Sequence, residues 1–212
     1  MGYKRIGVIL ARMQPIHNGH LELVSRAYRE NEAVYIFVGS ADKFNKRNPI
    51  PISTRLELVR KSILDMLQVR WGVDKAGDGK YDSDSQVDIA LINHGIHVVP
   101  LDDLDDESNN SHEWGFYLYS KIVTETGCPN FTMYYSDGYE IITTWFPGFI
   151  LRNNVSLSLI ARNSVENGIS ATDVRKLITE RKDDELRSVV PAAVFDKREH
   201  LKTLIELSEK IV

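Results

Sequence analysis

A chain of 212 residues with a net charge of −4 is long enough for one α/β domain with a full hydrophobic core and too short for two typical domains. The near balance of charge, with no long basic block, gives no electrostatic case for wrapping nucleic acid or lying on an anionic membrane, so small-molecule chemistry is the expectation. The single cysteine, Cys128, excludes an intramolecular disulfide framework and a cysteine-based zinc site, and it fits a reducing compartment. Arg12 and Gln14 interrupt the opening "MGYKRIGVILARMQPIH" too early for a signal peptide, and no run nears the ~18 apolar residues of a membrane span. A soluble, cytoplasmic protein is expected.

In chain order, "RIGVIL" (5–10) is a nearly continuous apolar run, the pattern of a central parallel strand covered on both faces. "GHLELVSRAYREN" then places Leu21, Val24, Ala27 and Tyr28 on one helical stripe, and "AVYIFVGS" (33–40) reads as a second strand. Strand, helix, strand is a βαβ unit with a right-handed crossover expected. After the loop "ADKFNKRNPIPI", Thr54 and Glu57 have capping-box spacing, and Leu56, Val59, Ile63 and Leu67 give helical periodicity through about Gln68. "WGVDKAGDGKYDSDSQVD" (71–88), rich in Gly, Asp and Ser, reads as an exposed, mobile insertion.

"GIHVVP" (95–100) resumes strand character, and the acidic "LDDLDDESNNS" (101–111) reads as a solvated connection, since it lacks calcium-loop spacing. "HEWGFYLYSKIVTET" (112–126) is a helix ended by Gly127 and Pro129, "FTMYYS" (131–136) a strand, and "VSLSLI" (155–160) a half-buried strand near one edge. "ISATDVRKLITE" is a short helix, followed by Pro191 and an amphipathic terminal helix through about 210. Strands alternating with helices predict an α/β fold with a doubly wound parallel sheet over one domain, 1–212, with C-terminal helices from 171. Ligands in such sheets bind at the carboxyl ends of the strands where strand order reverses, which directs attention to the loop after 5–10 and the helix start near 171.

Two stretches there carry chemistry. "ARMQPIHNGHLELV" runs from a strand through Arg12 into His17-Asn18-Gly19-His20 at a helix start, aiming two imidazoles and several N–H groups at one point where the helix dipole favours negative charge. A metal site, a structural histidine pair and a phosphate clamp all remain open. The clamp is favoured by the strand-to-helix context and by the lack of a third ligand at recognisable spacing, so no metal held by protein side chains is expected. In "ISATDVRKL" (169–177), Ser170 and Thr172 can cap the helix or bind phosphate, with Arg175 about one turn away.

"RMQPIHNGH" with "ISATDVR" downstream resembles the paired signatures of the nucleotidylyltransferase superfamily. "GSADK" through Arg55 (39–55) and "LRSVVPAAVF" look most like the archaeal-type nicotinamide-nucleotide adenylyltransferases. The likeness is strong over about 4–67 and 169–195. It implies a Rossmann-like nucleotidylyltransferase fold in a homo-oligomer that uses ATP with Mg²⁺ to convert a pyridine mononucleotide to NAD and pyrophosphate. It further implies that Arg12, His17, His20, Arg55 and Arg175 contact the ATP phosphates, helped by Ser170 and Thr172, with Arg12, His17, His20 and Arg175 carrying catalysis.

An aromatic on the following helix stacks on the nicotinamide ring in that family, and Trp114 occupies a suitable place, with a core tryptophan as the rival reading. The chain departs from the pattern at Thr54, where an acidic residue is usual, and at Ile50, where an aromatic is usual. It departs also in the longer 137–168 stretch, where Tyr139, Trp145 or Phe146 could remodel the acceptor pocket. Transfer to nicotinate mononucleotide or phosphopantetheine, cytidylyl transfer, and a non-catalytic nucleotide-binding regulatory module are the competing readings. A class I aminoacyl-tRNA synthetase fails on length and on the absence of a Lys-Met-Ser-Lys-Ser-like loop.

Overall fold

The computed structural model describes residues 5–72, 83–104, 111–137, 141–161 and 168–211. The apolar runs become β1 (Ile6–Ala11), β2 (Ala33–Val38), β3 (Ile96–Pro100), β4 (Phe131–Ser136) and β5 (Val155–Ile160), all parallel in the order β3-β2-β1-β4-β5. Strand order therefore reverses between β1 and β4. The crossovers are α1 (Asn18–Glu30), then α2 (Ile52–Trp71) with α3 (Asp84–Asn93), then α4 (Ser111–Thr126), then α5 (Ile142–Trp145) with α6 (Gly148–Asn153). The chain closes with α7 (Ala171–Glu180), α8 (Asp183–Val189), α9 (Ala192–Asp196) and α10 (Arg198–Ser208).

Alternation along each strand divides the core in two. Ile9, Val34, Ile36, Val38, Ile96 and Tyr134 face a layer built from α1, α2, α3 and the C-terminal helices. Val8, Phe37, Phe131 and Met133 face Leu118 and Ile122 of α4, Ile142 of α5 and Ile150 of α6. With helices on both faces the central strands β1 and β2 are almost wholly apolar, β4 admits Thr132 and Ser136, and β5, paired only with β4, mixes buried Val155 and Ile160 with exposed Ser156 and Leu159. α4 ends where Gly127 adopts φ 66 and returns its N–H to the Val123 carbonyl. Among the described residues no helix is long and apolar enough to cross a membrane.

Three expectations need correction. α2 begins at Ile52 behind Pro51, so Thr54 lies inside the helix and forms no cap; proline at a helix entrance supplies a fixed φ in place of the capping side chain. Glu57 instead pairs with Lys61 and Lys197. The expected insertion at 71–88 is helical at both flanks, since α2 reaches Trp71 before the left-handed Gly72 and α3 starts at Asp84; 73–82 lie outside the described residues. The terminal helix is divided, as α9 and α10 meet at Lys197, with α8 before Pro191.

Candidate functional site

The segment leaving β1 lies at the reversal of strand order and is folded tightly. Met13 takes φ 51, Gln14–Pro15 is cis, and His17 is the N-cap of α1. The His17 backbone N–H donates to Nδ1 of His20 at 3.3 Å, and the two rings lie 3.8 Å apart. An accepting Nδ1 places the ring proton of neutral His20 on Nε2, making that atom a donor. Gly19 permits this pairing, because a Cβ there would sit 3.1 Å from the His17 ring.

From the far end of the sequence, α7 brings its N-terminus to the same place. The Asp173 N–H donates to Ser170 Oγ at 3.2 Å, and the Ser170 N–H donates to Asp173 Oδ2 at 3.0 Å, a reciprocal cap. Ser170 thus performs the helix-capping role. Its neighbours' first-turn N–H groups are the ones an α-helix leaves without intrahelical partners. A cavity is lined by His17, Gly19 and His20, by Ser136 and Ile160 at the ends of β4 and β5, and by Gly168 through Ala171. Sequence reasoning did not single out Ser136 or Ile160, since only the strand ends mark them.

The arginines divide. Arg175 Nη1 donates to the Gln14 carbonyl at 2.8 Å and Nη2 to Thr172 Oγ1 at 3.2 Å, joining the two motifs directly. Burial, then the charge of Arg12, lowers its pKa. Arg12 is exposed at the segment's start. Arg55, expected on the phosphates, is 0 % exposed; its Nη1 donates to the Arg12 and Gly39 carbonyls at 2.8 and 2.7 Å, and its Nη2 to the Ser40 carbonyl at 2.8 Å. Burial and the neighbouring Arg12 bring its pKa down to about 10, against the opposing pull of Asp103 and Asp42. The structure makes Arg55 a tie across the carboxyl ends of β1 and β2, where two buried carbonyls and one half-buried carbonyl take their donors from it.

Trp114 and Trp145 pack edge to face at 6.0 Å beside the α4–α6 core and do not line the cavity; Phe146 is buried in that core, and Tyr139 lies outside the described residues. α4 and α5 approach so closely that a Cβ at Gly115 would fall 1.8 Å from the Trp145 carbonyl oxygen. Among the described residues no three His, Cys, Asp or Glu side chains converge as a metal site.

A parallel sheet reversing beside β1, with histidines and a helix N-terminus converging at its carboxyl edge, defines a Rossmann-like nucleotide-binding protein. The chain belongs to the cytidylyltransferase-like family, whose model matches residues 8–177. It is similar to the nicotinamide-nucleotide adenylyltransferase of Thermococcus onnurineus (24% identity, 92% of this chain and 83% of that one) and to that of Methanolobus tindarius (25%, 88% and 83%).

Among solved structures it resembles a bifunctional NMN adenylyltransferase/ADP ribose pyrophosphatase from Francisella tularensis complexed with AMP and a manganese ion (TM-score 0.62, 15% identity). That match covers 98% of this chain and 52% of that protein, so the chain spans about half its length. A Plasmodium falciparum nicotinic acid mononucleotide adenylyltransferase complexed with NaAD matches at TM-score 0.55 and 12% identity, covering 95% and 98%.

Proposed function

We propose that this protein is an adenylyltransferase that joins ATP to nicotinamide mononucleotide, giving NAD and pyrophosphate. The observation that carries the reading is the convergence of His17 and His20 with the Ser170 helix start on one cavity at the strand-order reversal. The family match and the archaeal relatives of that name support it.

The acceptor's 5′-phosphate oxygen forms a bond to the α-phosphorus of ATP, the bond from that phosphorus to the bridging oxygen breaks, and pyrophosphate leaves with the electron pair. The nucleophile is already anionic, so no general base is needed. Negative charge gathers on the nonbridging and departing oxygens, and preorganised donors stabilise it. His17, the Nε2 of His20, Arg12, Arg175 and the first-turn N–H groups of α7 are the donors, with Thr172 orienting Arg175. Mg²⁺ brought in with ATP would supply further charge neutralisation; among the described residues no group of three His, Cys, Asp or Glu side chains would hold it. Trp114 and Trp145, which stand outside the cavity lined by His17 and His20, are candidates for the acceptor ring on the family resemblance alone. A homo-oligomer is part of the same reading and is checked by light scattering.

Pyrophosphate release tests the reading. It is measured with ATP and with CTP against nicotinamide mononucleotide, nicotinate mononucleotide and phosphopantetheine. The expected result is release with ATP and the nicotinamide acceptor above all other pairs. Release only with CTP or phosphopantetheine assigns another transferase activity, and none with any pair favours a nucleotide-binding regulatory module.

A further inference from the structure

The segment that presents Arg12, His17 and His20 is fastened by a residue outside that donor set. Gln14 is 3 % exposed, and its carboxamide bonds the main chain of Ile50 in both directions: Nε2 donates to the Ile50 carbonyl at 3.2 Å, and Oε1 accepts from the Ile50 N–H at 2.9 Å. Two residues upstream the Arg12 carbonyl accepts from Arg55, and the Gln14 carbonyl accepts from Arg175. Met13, 1 % exposed, is held between these ties at φ 51, a conformation a non-glycine residue keeps only when its surroundings over-determine it.

We infer that Gln14 is a positioning residue for adenylyl transfer: its two-way bond to Ile50 sets the loop so that Arg12 and Arg175 reach the phosphates together. The inference rests on the adenylyltransferase reading above. Arg12, Arg55 and Arg175 lie close enough for Arg12 to act electrostatically on both of the others, so an untied loop would spread under their repulsion. A carboxamide donates and accepts without adding a charge among these cations. An ionised carboxylate could not donate to the Ile50 carbonyl, and a thioether would fill the space with no tie.

A double-mutant cycle separates positioning from packing. Gln14→Met is introduced into the wild-type, Arg12→Ala and Arg175→Ala backgrounds, and kcat and KM are measured for both substrates, with thermal melting confirming the fold. In the wild-type background kcat falls about 10-fold or more, while KM for the acceptor changes by less than about 2-fold. With either arginine removed, the same substitution costs less than about 3-fold, because a group it positions is gone.

Equal costs in all three backgrounds, or a wild-type kcat in Gln14→Met, overturn the inference. Should Gln14→Met fail to fold, Gln14→Glu is carried through the same cycle and judged identically. A wild-type protein that binds ATP but transfers nothing to any acceptor overturns the adenylyltransferase reading instead. The cycle is then read in ATP affinity, where coupling supports the positioning role and additive costs refute it.

Discussion

Replacing Arg55 by Met removes three charge-assisted bonds of 2.7–2.8 Å that tie the Arg12, Gly39 and Ser40 carbonyls together. Each such bond is worth ~1.5–3 kcal/mol and each carbonyl left without a donor costs ~1–3 kcal/mol, so ~3–5 kcal/mol is lost in all once the guanidinium's own desolvation is credited. For a chain of this size that lowers the melting temperature by on the order of 10 °C. Urea unfolding followed by tryptophan fluorescence, with ATP affinity measured in parallel, provides the assay. The tie predicts a large loss of stability in Arg55→Met and little recovery in Arg55→Lys, since an ammonium cannot reproduce the planar fork that spans two strand ends. A wild-type unfolding midpoint accompanied by a collapse in ATP affinity would refute the reasoning and return Arg55 to the phosphates.

His20→Ala should lower turnover by about 10²-fold or more, the scale of losing one preorganised donor, with the fold intact by circular dichroism. Trp114→Ala should raise the acceptor's KM; an unchanged value moves the stacking role to Trp145 or Tyr139. Gly115→Ala should destabilise by more than ~1–3 kcal/mol in urea, because its Cβ would fall 1.8 Å from the Trp145 carbonyl and α4 and α5 must separate. Burial works to raise the Glu57 pKa, but Lys197 and Lys61 outweigh it and hold the carboxyl below its ordinary 4.5. Its contribution is therefore fully present above pH 4.5 and is lost as pH falls through the depressed value. Melting curves should show Glu57→Gln less stable than wild type at pH 7, with the gap closing under acid; a gap that widens there contradicts the pairing.

β1 and β2 are readable because a parallel strand covered on both faces is apolar along nearly its whole length, β3 and β4 stand out as short runs rich in β-branched and aromatic residues, and β5 is recognisable as an edge because its residues alternate. α3 carries little signal because its first turn continues an Asp- and Ser-rich run, and the buried Val87 and Leu91 are matched by outward-facing Ile89 and Ile92, so no distinct apolar stripe emerges. The two halves of the cavity were legible as motifs because a strand running into histidines and glycine, and a Ser-Ala-Thr-Asp helix start, each have a local chemical signature. Arg55 shows the limit of that reading. An arginine in the first turn of a helix carries no local sign that the carbonyls of Gly39 and Ser40 will close over it. Gln14 stood inside the quoted motif without a role for the same reason, since its partner Ile50 lies 36 residues away.

Detection of the dinucleotide itself is the most direct test of the central claim. Wild-type protein and His20→Ala are incubated with ATP, Mg²⁺ and nicotinamide mononucleotide, and NAD is quantified by mass spectrometry alongside pyrophosphate. The account predicts NAD and pyrophosphate in equal amounts from the wild type, formed about 10²-fold more slowly by the variant. Pyrophosphate without NAD, or equal rates from the two proteins, would contradict it.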